Sequence, residues 1–127
     1  MTGYVGDIEK LTLANSYFRQ ILFTGAHSQL VVMCLQPKEE IGAEVHPNVD
    51  QFFRVEKGQG KVVMSGEEYA IADGDAIVVP AGTEHNVINV SGKQPLKLYT
   101  IYSPAQHKDG IVHKTKAEAM ADETDHL

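Results

Sequence analysis

The sequence predicts an all-β fold, a sandwich or a closed barrel, held in one domain. Three observations predict it. Short runs of apolar, β-branched and aromatic residues recur from residue 17 to residue 102. Gly, Pro, Asp and Ser clusters separate them, and no helical periodicity stands between them to build β-α-β units. A chain of 127 residues, 43% hydrophobic and 22% charged, is long enough for one core and ordinary for a soluble globular protein.

The runs follow in order. "YFRQILF" from Tyr17 stops at Thr24-Gly25, and "QLVVMCL" from Gln29 is closed by Pro37. "IGAEVH" from Ile41 reads as a strand ended by Pro47. "QFFRVEKGQGKVVM" from Gln51 reads as a hairpin turning at Gly58-Gln59-Gly60. Alternation puts Phe53 and Val55 on the inward face with Gln51, joined by Met64, and turns Phe52 and Arg54 outward. "EEYAIADGD" is a short strand and an Asp-Gly turn, and "AIVVP" from Ala76 is a continuous apolar run, expected to be buried on both faces. "EHNVINV" alternates before Ser91-Gly92, and "LKLYTIY" closes the series before Pro104. The barrel domain is thus expected over residues 1–105 and a tail over 106–127. In the tail "TKAEAMADE" spells a helix, with Thr115 and Glu118 at capping-box spacing. That helix is too short to stand alone, so the segment from Thr115 on is expected to be dispensable to the barrel. His107 and His113 are expected to be exposed there, with His126 beside the end. His27 falls in a turn, and Tyr69, Tyr99 and Tyr102 suggest no role.

Charge narrows the partners. A net charge of −6 and a pI near 5.4 exclude a nucleic-acid surface, since the few basic neighbours, Lys108, Lys114 and Lys116, make no patch. An acidic surface also disfavours anionic membranes, and no run of about 18 apolar residues is present to span one. "MTGYVGDIEK" has no secretory pattern, and the lone Cys34 forbids an internal disulfide, so the expected compartment is the cytoplasm. Cys34 lies within an apolar strand with no basic neighbour and is expected to be buried and inert.

Two stretches carry chemistry. In "GAEVHPNVDQFF", Glu44 and His46 are two apart, so strand geometry aims them at one face, and Gln51 opens the next run. In "GDAIVVPAGTEHNVIN" from Gly74 to Asn89, Pro80, Gly82, His85 and Asn89 follow the spacing G-x5-P-x-G-x2-H-x3-N. Gly74 turns the chain into a strand, Pro80 and Gly82 make the next corner, and His85 opens a new strand pointing inward.

The second stretch resembles the second motif of the cupins, the double-stranded β-helix or jelly-roll barrels, at every defining position. The first cupin motif, G-x5-H-x-H-x3-4-E-x6-G, is matched at its end by Gln51, six residues and Gly58. His46 then falls on the second histidine, Glu44 on the first histidine and Gln51 on the glutamate, while Gly42 misses the opening glycine. The resemblance covers residues 38 to 103. It implies a cupin barrel with a short C-terminal helix or tail, in which Glu44, His46, Gln51 and His85 converge on a divalent metal. The cupin set of three imidazoles and one carboxylate becomes two imidazoles, one carboxylate and one amide, with the same formal charge. Two histidines and a carboxylate suit Fe(II) or Mn and leave open positions, while Zn, Ni, Co and Cu remain compatible. Gln51 either adds a neutral oxygen ligand or hydrogen-bonds a bound water. A buried Glu44 requires a cation or a proton, so a metal-free hydrogen-bonded cluster is the alternative.

The resemblance further implies a homodimer that binds a small-molecule ligand or substrate. Metal-dependent chemistry on a small oxygen-bearing molecule, dioxygenase-like, is the leading expectation. A sugar or keto-acid isomerase, with Glu44 as a proton shuttle, is the alternative, and a non-catalytic ligand-binding cupin is a third.

Overall fold

Apolar alternation is realised as two facing sheets. The computed structural model describes residues 2–125, with nine strands and two short helices among them. In chain order they are α1 Ile8–Ala14, β1 Arg19–Thr24, β2 Gln29–Leu35, β3 Asp50–Lys57, β4 Gln59–Met64 and β5 Glu67–Ala72. Then come β6 Ala76–Val79, β7 His85–Asn89, β8 Leu96–Ser103, β9 Val112–His113 and α2 Lys116–Ala121. A six-stranded sheet runs β6-β3-β8-β2-β1-β9 and faces a three-stranded sheet, β5-β4-β7, with antiparallel pairing throughout. This is the expected all-β jelly roll. Its core is built from the inward positions, among them Met33, Leu35, Phe53, Val55, Val62 and Leu98, all buried. Cys34 is buried, and burial pushes its thiol up; His27 is exposed in its turn.

Four elements differ from the sequence expectation. Residues 51–64 are not a hairpin, because β3 pairs with β6 and β8 while β4 pairs with β5 and β7. Gly58 carries the chain from one sheet to the other at φ +119, and a Cβ there would come within 2.7 Å of the Pro95 carbonyl oxygen. The true hairpin is one element later, between β4 and β5. There Ser65 and Gly66 have φ of 50 and 81, the two positive values that a two-residue twisted turn needs. β6 is an edge strand with one open face, since Val78 is 63% exposed between buried Ile77 and Val79. "IGAEVH" forms only one isolated bridge, Glu44 to His85, with a second just before it from Glu40 to Ile88.

The fourth difference is helical. Asp7 caps α1 by accepting from the Lys10 N–H at 3.1 Å, and Asn15 ends it. The helix packs on β8, β3 and β2, where Lys97 donates to the Leu13 carbonyl at 2.7 Å. Phe52, on the outward face, rests half-buried with its ring 6.1 Å from that of Tyr99.

The tail packs onto the large sheet. β9 pairs with β1 through Arg19–His113 and Gln20–Val112. The fully buried Gln29 side chain donates to the His107 carbonyl at 2.7 Å, and its oxygen accepts the Gln106 and His107 N–H groups at 3.2 and 3.1 Å. α2 is capped as the spacing implies, Thr115 accepting from the Glu118 N–H at 3.1 Å. His107 and His113 are 1% and 3% exposed, against the expectation of solvated tail residues, because their partners come from β1, β2 and β8. His126 lies outside the described residues.

Candidate metal centre

Backbone pairing sets the predicted residues beside one another. Glu44 and His85 exchange both backbone hydrogen bonds at 2.9 Å, so their side chains leave the same face of the bridge. The Gly82 N–H donates to the His46 carbonyl at 2.9 Å and ties that loop to the corner before β7. Gln51, the second residue of β3, stands opposite Tyr102 of β8, and both are buried on the inward face.

The four side chains meet as two pairs. The His46 Nε2 lies 3.1 Å from Glu44 Oε2, and the His85 Nε2 lies 3.1 Å from Gln51 Oε1. The two imidazole centroids are 5.3 Å apart. His85 Nδ1 faces the Thr83 carbonyl at 2.9 Å, and a carbonyl only accepts, so Nδ1 carries the proton. In the neutral ring the Nε2 lone pair therefore points at the Gln51 oxygen, itself an acceptor whose amide nitrogen is held by Thr100 Oγ1 at 3.0 Å. Acceptor against acceptor calls for a proton, an inverted amide or a cation between them.

Each pair taken alone has the spacing of two ligands on one cation. Two ligands about 2.1 Å from an ion and at right angles to each other are about 3 Å apart, which is the separation within each pair. A backbone carbonyl that fixes the tautomer of a ligating histidine is a usual outer partner of metal centres. Glu44 supplies the charge. Burial alone raises its carboxyl, but the His46 hydrogen bond and the positive surroundings, Arg19 among them, outweigh that and hold it below the usual carboxylate range. As they stand, the two pairs face each other without sharing one point. The only three His, Cys, Asp or Glu among the described residues with ligand atoms all within 4.8 Å are His113, Asp122 and Asp125.

That second cluster is already complemented. His113 Nε2 lies 3.0 Å from Asp122 Oδ2, and its Nδ1 lies 3.4 Å from the Arg19 Nη1. A guanidinium inside the cluster opposes a further cation. Asp125 also takes His107 Nδ1, whose Nε2 is 3.1 Å from the Tyr102 hydroxyl. Tyr102 joins the two clusters, its ring 6.0 Å from His46 and 5.1 Å from His107. Sequence reading assigned no role to Tyr102, Thr100 or Arg19. Alternation in "LKLYTIY" was the available signal, since it puts Leu96, Leu98, Thr100 and Tyr102 on one buried face. Asn89, in the second motif, is structural: its amide donates to the Leu35, Gln36 and Gln94 carbonyls at 3.1, 3.1 and 2.9 Å.

Known proteins place the chain. The family model for the cupin domain matches residues 31–102. The uncharacterized protein YrkC of Bacillus subtilis is 50% identical over 126 residues, covering 94% of this chain and 67% of the relative. The uncharacterized mimivirus protein L612 is 46% identical over 113 residues, 86% of this chain and 70% of its own. The crystal structure of BH2720 from Bacillus halodurans superposes with a TM-score of 0.91 at 49% identity over 94% of each chain.

Proposed function

The chain belongs to the cupin domain family, and from that premise we propose that it is a metal-dependent enzyme acting on a small oxygen-bearing molecule. In this reading Glu44, His46, Gln51 and His85 hold one divalent ion. The carrying observation is the gathering of two imidazole Nε2 atoms, a Glu44 oxygen and the Gln51 amide as two neighbouring pairs, each 3.1 Å apart. A bound divalent ion would supply a Lewis acid for a ligand oxygen, or a site for dioxygen activation.

The protein groups have separate tasks. His46 and His85 are the firm ligands, and Thr83 keeps the His85 lone pair turned inward. Glu44 balances charge. Glu44 is thereby the one charged ligand of the proposed set. Gln51, anchored by Thr100, tunes the centre as a weak ligand or by orienting a bound molecule. Tyr102 keeps its proton, since burial pushes its phenol up to about 12.

Elemental analysis of protein purified without chelators tests this. Wild type should carry about one metal per chain, and His46→Ala or His85→Ala should retain less than about a tenth of it. Either variant at wild-type stoichiometry sinks the proposed centre. Gln51→Ala should keep most of the metal while ligand affinity or rate changes.

A further inference from the structure

A cavity of about 250 Å³ opens between Glu44, Arg19 and α2, walled also by Ile41, Lys116 and Asp125. Its charges are unevenly answered. Glu44 has His46 at 3.1 Å, and Asp125 has His107. Arg19, 5% exposed at the start of β1, reaches Asp125 at 3.8 Å and His113 at 3.4 Å through Nη1 alone, and its Nε–H has no hydrogen-bond partner among the described residues. Lys116, half-buried on the same wall, forms no ion pair with a described residue. A buried guanidinium N–H without an acceptor is costly, and its fork matches a carboxylate.

We propose that this cavity is a carboxylate subsite, in which Arg19, aided by Lys116, takes the carboxylate of a small organic acid. The oxygen next to that carboxylate then faces the Glu44 end of the centre. This names the substrate class of the reading above, and rests on that reading for the second oxygen alone.

The probe is 2-oxobutyrate, with the uncharged 2-oxobutanamide as control, titrated into metal-loaded and metal-free protein. The chain has only two arginines, Arg19 and Arg54, so Arg54→Lys assigns the Arg19 Nε–H resonance by elimination. The acid should shift that resonance in wild type, and calorimetry should show it binding at least about tenfold tighter than the amide. Arg19→Gln should abolish the preference, and Lys116→Ala should reduce it. If the Arg19 resonance stays still in folded wild type, or acid and amide bind alike, the subsite is wrong. Metal uptake without that shift overturns the subsite alone. The shift without metal uptake overturns the centre alone.

Discussion

Two imidazole–carboxylate clusters stand on either side of Tyr102, and they differ in how their ring nitrogens are answered. In the tail cluster one set of tautomers satisfies every histidine ring nitrogen. His107 donates from Nδ1 to Asp125 and accepts the Tyr102 hydroxyl at Nε2, while His113 accepts from Arg19 at Nδ1 and donates from Nε2 to Asp122. In the other cluster Thr83 turns the His85 Nε2 lone pair toward the Gln51 amide, and among the described residues no second imidazole or carboxylate closes the circuit between the two pairs. Residue types are nearly the same in the two places. A closed circuit of donors and acceptors holds chain segments together, whereas an incomplete one has room for a ligand.

The comparison breaks first at Asp125, 1% exposed and shared by His107 and Arg19. Asp125→Ala leaves buried cationic and polar partners unanswered and should cost about 3–5 kcal/mol of stability in denaturant unfolding. Metal content per folded chain should not change. Loss of metal along with stability would show that the two clusters act as one unit.

A smaller effect belongs to the residue between them. The Tyr102 phenol is pushed up to about 12, chiefly by burial, against the opposing charge of Arg19. Its ordinary value is about 10, so the unfolded chain ionises first as pH rises. The contribution of Tyr102 is therefore complete below pH about 10 and is lost between about 10 and 12. It amounts to something on the order of 2 to 3 kcal/mol. Tyr102→Phe should flatten that alkaline decline in unfolding curves, and an unaltered decline would show that another group sets it.

The smallest change sharpens the proposed centre. Glu44→Gln keeps shape and removes charge, so metal affinity by calorimetry should fall about tenfold, and Glu44→His should retain binding. Metal-free stability should move by less than about 1 kcal/mol, because Glu44 is 29% exposed. Equal affinity in the Gln variant would take Glu44 out of the coordination set.

Much of the barrel was legible because alternation reports burial directly: Gln51, Phe53 and Val55 face inward as the pattern requires. The second motif likewise placed His85 at the head of a strand. Which sheet a strand joins is a non-local fact, and so β3 and β4 read as a hairpin although they belong to different sheets. An apolar run does not reveal an edge position, which is why Val78 looked buried. α1 was missed because seven residues with an Asp cap carry a weak local signal. The tail histidines were misread because Arg19 and Gln29, which bury them, lie 94 and 78 residues away.

The Gln29 amide also joins the tail to the sheet as a strand partner would. It offers the incoming tail one acceptor and one donor, the two groups a neighbouring strand would offer, but only after β1, β2 and β8 have fixed its position. Contacts between residues so far apart in sequence form slowly, after loop closure has been achieved. The Gln106 and His107 amides should therefore gain protection from hydrogen exchange after those of β2 and β8 during refolding, and surrender it before them when denaturant is added.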